Sequence, residues 1–302
     1  MKIAAAAYPI DWHNRWNDFV GKLRVWVRTA AEQGAELLVF PEYAAMELAS
    51  LAEEANSRDL GKASAAVKAR IGDVDDLHAS LAREFGVHIC AASAPLRRES
   101  GGGVNRARLF APDGSRAFQD KLILSPFERD EWGLEAGRGL TVFDTALGRI
   151  GIPICYDVQF PLVTRALVAA GAEILLVPAA TRTLQGYWRM RIAAMARALE
   201  GQCVVAHAVT LSDADWLAAA ARGVGAAGIF VPPDGSFPDD GVLAVGKMDT
   251  PGWVYGEVAL EALREVRETG SARNFRHWDD QDDRLAEVAV QVLGTAAPAE
   301  ET

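Results

Sequence analysis

Short apolar runs alternate along this chain with stretches in which apolar residues recur every three or four positions, and the alternation continues to about residue 260. That rhythm predicts an α/β protein whose helices cover the faces of a sheet. Residues 2–8 read as a first strand. Trp16, Phe19, Val20, Leu23, Val27 and Ala30 then fall at helical spacing, which predicts an amphipathic helix over about 15–33, ended by Gly34 as a C-terminal cap. Residues 36–40 form a buried-strand pattern that runs straight into Pro41 and Glu42. Val74, Leu77, His78, Leu81 and Phe85 mark another amphipathic helix before a strand at 87–93.

A polar, glycine-rich loop is expected at 98–103, followed by two strands, 106–111 and 117–124, joined by the turn Pro112-Asp113-Gly114. The apolar run 149–155 ends on Cys155, where a strand gives way to a helix expected over about 160–170. Beyond it the pattern predicts a strand at 173–177, a helix with Ile192, Met195, Ala196 and Leu199 on one face, and strands at 202–209, 227–231 and 253–259. Residues 264–276 are strongly charged, Trp278 stands isolated, and the small polar tail 296–302 is expected to be disordered. With no internal repeat and no linker, a single domain over 1–302 is expected, with 261–302 as a C-terminal extension.

The 302 residues are half hydrophobic, enough for a substantial core, and carry a formal net charge of -10 without any long basic cluster. Nucleic acid and anionic membranes are therefore not expected as partners. Three cysteines, at 90, 155 and 203, lack CxxC spacing and are odd in number, which predicts free thiols in a reducing, cytoplasmic compartment. The apolar start of the chain is broken by Pro9 and Asp11 before it reaches signal-peptide length, and no stretch approaches the roughly 18 apolar residues of a membrane span.

Chemistry collects at three strand ends. Glu42 follows Leu37-Leu38-Val39-Phe40-Pro41, Lys121 opens Lys121-Leu122-Ile123-Leu124, and Cys155 is followed by Tyr156 and Asp157. Together they supply a base, a cation and a nucleophile. A free thiol has a pKa near 8.5, so a carboxylate to take its proton or a cation to stabilise the thiolate would activate it. Taken alone, each has an ordinary role: Cys155 as a small buried hydrophobe, Glu42 as a solvated loop residue, Lys121 as a strand-edge charge. Cys90 and Cys203 lie inside apolar strand patterns and are read as packing residues. Gly223-Val224-Gly225-Ala226-Ala227-Gly228 fits GxGxxG but precedes a strand, the wrong context for a dinucleotide loop. The five histidines are scattered without ligand spacing, so no metal site is expected.

In this order and spacing the residues resemble the nitrilase superfamily of carbon-nitrogen hydrolases. Phe40-Pro41-Glu42 is similar to its glutamate motif, Lys121 with Glu128 seven residues later to its lysine motif and second glutamate, and Ile154-Cys155-Tyr156-Asp157 with Phe160-Pro161 to its cysteine motif. The likeness extends over about 1–260, through the hairpin at 105–114, Ala196-Arg197-Ala198-Leu199-Glu200, and a strand ending in Pro233-Asp234-Gly235. Asp120 and Ile123 depart from the basic residue and histidine common around the family lysine, and Leu162 replaces the acidic residue that often follows Phe-Pro. These departures bear on substrate.

The resemblance implies a four-layer αββα sandwich, no cofactor, and a homodimer or larger homo-oligomer to which 264–278 contributes. It implies Glu42, Lys121, Cys155 and Glu128 as catalytic residues, with the Tyr156 N–H at a developing oxyanion. Tyr43, Trp132, Tyr156, Phe160 and Trp188 are candidate substrate contacts, with core packing as the alternative role of these aromatics. The expected reaction is hydrolysis of a small amide or carbamoyl compound through a thioester. Three other readings stay open: a nitrile substrate, acyl transfer to an amine, and a non-catalytic interaction scaffold. Tyr156-Asp157 in place of the Trp-Glu common in nitrile-acting members favours the amide.

Overall fold

The alanine-rich first strand, β1 (Lys2–Pro9), is buried from Ile3 to Tyr8 because both of its faces are covered there. Side chains alternate across a strand, so Ile3, Ala5 and Ala7 join one apolar core while Ala4, Ala6 and Tyr8 join another. The same alternation holds in β2 (Leu37–Val39), where Leu37 and Val39 face the first core and Leu38 the second. The computed structural model that shows this describes residues 1–97, 102–285, 287–291 and 293–294. Most of the loop expected at 98–103 and all of the tail expected at 296–302 lie outside the described residues.

One sheet contains β1, β2, β3 (His88–Arg97), β4 (Gly103–Phe110), β5 (Arg116–Asp120) and β13 (Gly252–Glu257). The other contains β6 (Val142–Thr145), β7 (Gly148–Gly151), β8 (Ile174–Ala179), β9 (Val204–Asp213), β11 (Gly228–Phe230) and β12 (Val242–Val245), with β10 (Arg222–Gly223) paired to the end of β9. The sheets are spliced where 7–9 of β1 pair in parallel with 209–211 of β9. Helices α1 (Trp16–Glu32) and α3 (Leu60–Phe85), with the short α2 (Glu54–Ser57) before the latter, lie on the first sheet. Helices α4 (Pro161–Ala169) and α5 (Leu184–Gly201) cover the second. This is the expected αββα sandwich.

Strand direction explains where chemistry can gather. β1, β2 and β3 run parallel, as do β7, β8 and β9, and the β1–β9 splice is also parallel. β5 is antiparallel to β4, which is antiparallel to β3, so β5 runs the same way. The carboxyl ends of β2, β5, β7, β8 and β9 and the amino end of β4 therefore share one end of the sandwich.

Several elements differ from expectation. α3 begins at Leu60 rather than near Val74, because Asp59 accepts the Lys62 N–H at 2.8 Å as an N-cap and only Ala63 and Val67 are buried in its first turns, too thin a stripe to read. In α5 the inward face is Tyr187, Met190, Ala194 and Ala198, whereas Ile192 and Leu199, on the face picked out by the apolar spacing, are exposed. Small residues allow that helix to approach its sheet closely, which leaves larger apolar side chains outward. β5 stops at Asp120, so Lys121 follows a strand instead of starting one. In α6 (Leu260–Thr269), within the charged segment after 260, Leu263 and Val266 are buried, and Arg264 Nε meets Glu173 Oε1 at 2.7 Å. Trp278 lies over the Arg165 guanidinium at 4.6 Å. No helix among the described residues is long and apolar enough to cross a membrane.

Candidate active site

Glu42, Lys121, Glu128 and Cys155, carried by different elements, converge at that shared end. Lys121 Nζ donates to Glu42 Oε1 at 2.7 Å and to Glu128 Oε2 at 2.6 Å. Neither glutamate nor the lysine exposes more than 2% of its surface, so their charges must be met by one another. Asn105, at the start of β4, donates its Nδ2 to both carboxylates, at 2.9 Å to Glu42 and 3.1 Å to Glu128. The Ala180 N–H, just past β8, donates to Glu42 Oε2 at 3.0 Å. Ser125, through its N–H and hydroxyl, and the Tyr43 hydroxyl complete the shell of Glu128.

Cys155 begins a 3-10 turn (Cys155–Gln159) directly after the extended segment that follows β7. Its φ of 46° lies in the left-handed region, an uncommon conformation for a residue with a side chain, and Tyr43 beside Glu42 has φ 57°. Asp157 holds the turn. Its carboxylate accepts N–H groups of Ile154 at 3.0 Å, Ile123 at 2.6 Å and Leu122 at 3.1 Å. The turn bearing Cys155 is thereby tied to the segment after Lys121, which is why β5 ends there. Gly137 backs the same segment, donating its N–H to the Lys121 carbonyl at 2.6 Å where a Cβ would lie 2.7 Å from the Asp120 carbonyl oxygen.

The two carboxylates are pushed apart electrostatically. Burial raises Glu42, Lys121 opposes the rise and Glu128 adds to it, so Glu42 ends above the ordinary carboxylate value. Burial also acts to raise Glu128, but Lys121 and hydrogen bonds from Tyr43 and Ser125 outweigh it, and Glu128 ends below. Burial and the neighbouring Glu42 hold the Cys155 thiol well above its usual value, with Lys121 pulling the other way. Burial disfavours the charged form of Lys121, yet Glu42, Cys155 and Glu128 together raise it. Burial pushes Asp157 up to about 6 against the pull of its N–H donors. The resting state is thus a neutral thiol beside an ammonium and two carboxylates of unequal basicity.

A pocket of about 600 Å³ opens over these groups. Of the five aromatic candidates, Tyr43 and Tyr156 line it. Trp132, Phe160 and Trp188 are not among its lining residues: Trp132 packs at a tilt against Tyr43 with ring centroids 4.8 Å apart, Phe160 meets Tyr156 edge-on at 4.9 Å, and Trp188 is 46% exposed. A larger recess, about 860 Å³, lies around Met1 and Leu260 at the opposite strand ends and holds no thiol or hydroxyl. Cys90 and Cys203 are fully buried, each pushed by burial to about 12. Asn105 and Asp157 were not singled out as site residues from sequence; the available signal was a polar residue at a core-facing position of a strand and a carboxylate within a turn.

Residues 2–267 match the model of the family described as Carbon-nitrogen hydrolase. The chain belongs to that family. It is 32% identical over 276 residues to "Probable hydrolase YhcX" of Bacillus subtilis (strain 168), a match covering 91% of this chain and 53% of that one. The chain thus spans about half the length of that relative. It is 26% identical over 211 residues to "Omega-amidase NIT2-B" of Xenopus laevis, covering 65% of this chain and 70% of the other. Among solved structures, the amidase of Nesterenkonia sp. AN1 with acrylamide added at its active-site cysteine superposes with a TM-score of 0.66 at 23% identity, over 92% of this chain and 99% of that one. That likeness establishes the fold.

Proposed function

We propose that this chain hydrolyses the carbon-nitrogen bond of a small amide through a thioester on Cys155. The observation that carries the reading is the Lys121 ammonium fixed between Glu42 and Glu128 beside a thiol on a left-handed turn, at the floor of a pocket. Glu42, the more basic carboxylate, takes the thiol proton as Sγ bonds to the amide carbon. Two of the three Lys121 hydrogens are occupied by carboxylates, which leaves one for the oxyanion together with the Tyr156 N–H. Each such donor is worth about 3 kcal/mol in acyl transfer. Glu42 returns its proton to the leaving nitrogen, the C–N bond breaks, and ammonia or an amine departs. Water, deprotonated by Glu42, then adds to the thioester; the C–S bond breaks, releasing the acid and restoring the thiol. Glu128 keeps Lys121 charged and in place, and Tyr43 and Tyr156 contact the substrate.

The amidase names of two similar proteins support the same reaction class. The test is hydrolysis of a panel of small amides by the wild type, Cys155→Ala and Glu42→Gln, with mass spectrometry for an acyl adduct on Cys155. Turnover near the wild-type rate after either substitution overturns the assignment. A reducing intracellular compartment is part of the proposal, supported by three buried free cysteines. So is a homo-oligomer, supported by exposed Leu285, Val288, Val290 and Leu293 near the carboxyl end. Sedimentation that finds a monomer, or an oligomer unchanged by truncation after Arg284, counts against that contact.

A further inference from the structure

We propose, on the basis of amide hydrolysis at Cys155, that the substrate carries a terminal oxyanion, a carboxylate or a phosphate-type group, received by Arg182, Arg189 and Arg222 at the pocket mouth. All three arginines line the pocket, and none forms an ion pair among the described residues. Among the described residues, the only carboxylates lining the same pocket are Glu42 and Glu128, both held by Lys121 at the floor. The cavity is therefore cationic at its entrance in a chain whose net charge is -10. An exposed arginine is ordinarily a solvated surface residue, but three such groups from α5, the loop before it and β10 line one pocket and offer it planar donors.

Their placement gives the substrate a direction. Arg182 and Arg189 flank the start of α5, whose first turn has no acidic residue and whose Thr183 and Gly186 also line the pocket. The positive end of that 18-residue helix adds to the same field. Arg222 faces the cavity from β10, on the hairpin formed with β9. The Arg182 guanidinium lies 5.3 Å over the ring of Phe127, another lining residue, which limits its freedom at the wall. The reacting carbonyl goes to the floor, where Cys155 and Lys121 are buried, and the anion stays at the mouth, where the guanidinium groups are exposed.

The test compares kcat/KM for the monoamides of butanedioic, pentanedioic and hexanedioic acids with butanamide, pentanamide and hexanamide, and includes 3-phosphonopropanamide. At low salt at least one anionic amide is preferred over its neutral counterpart by about tenfold or more, and the preference shrinks as salt rises. The better of carboxylate and phosphonate identifies the group. Arg→Gln at positions 182, 189 and 222, singly and together, erodes that preference chiefly through KM, and Arg→Lys recovers part of it. Equal rates for charged and neutral amides, or a preference kept by the triple Arg→Gln variant, overturn the inference while leaving amide hydrolysis standing. Calorimetry on Cys155→Ala separates the other failure. If no amide is turned over, but an anionic amide binds Cys155→Ala and binds less well once Arg222→Gln is added, the subsite stands and the hydrolase reading falls. Neither turnover nor binding overturns both.

Discussion

At the residue scale the site turns on one lysine shared by two carboxylates that differ in surroundings. Glu128 receives several hydrogen bonds to its ionised form, whereas Glu42 is raised by burial and by Glu128, and this asymmetry supports Glu42 as the base of the proposed reaction. Glu42→Gln keeps the shape and removes the base, so kcat should fall by about three orders of magnitude with little change in KM, as read by steady-state kinetics. Because Glu42 must be ionised to act and its value is raised, the acid limb of kcat/KM should lie above the ordinary carboxylate value of 4.5, activity being lost as pH falls through it. Glu128→Gln removes a charge that raises Glu42, so in that variant the limb should move to lower pH. A limb at or below the ordinary value in the wild type contradicts this account. Glu42, Lys121, Glu128 and Cys155 were legible in the sequence because each stands in a short ordered motif. Asn105 was not, since a single polar residue in a strand pattern carries no sign of which carboxylates it will meet.

At the element scale, Asp157 decides how two segments meet. It gathers N–H groups from both the turn bearing Cys155 and the stretch after Lys121, so these donors have no strand partner to satisfy them otherwise. Asp157→Ala should destabilise the fold by about 3 kcal/mol, seen as a lower urea midpoint, and should also lower kcat because Cys155 and Lys121 lose their common anchor. Asp157→Asn keeps an acceptor and should lose less; equal stability of Ala and Asn variants would argue against this role. Strands are readable as apolar runs, but the start of α3 at Leu60 and the buried face of α5 are not. Periodicity reports where apolar residues fall, whereas in α5 close approach through Ala194 and Ala198 determined which face was buried.

At the scale of the whole molecule, the parallel splice between β1 and β9 aligns two sheets so that their strand ends open on one side. Within the subunit, the charged segment after 260 closes the second sheet. Arg267, 8% exposed, donates to the carbonyls of Gln202 at 2.8 Å, Ala172 at 3.2 Å and Gly201 at 3.3 Å. Arg267→Ala should leave those acceptors unpaired and cost about 3 kcal/mol, measured as a lower denaturation midpoint, with kcat retained because none of these groups lines the pocket. A matching loss of kcat in the fully folded variant would show that this end of the molecule is coupled to the site.

By itself the sequence determined the α/β class, the positions of most strands and the four residues that converge at the pocket floor, because runs, periods and motifs are local properties of a chain. Only the tertiary structure decided that Lys121 sits between Glu42 and Glu128, that Asp157 joins two loops, and that three arginines surround the pocket. These depend on contacts between residues far apart in sequence, set by strand order and direction, which no local pattern encodes.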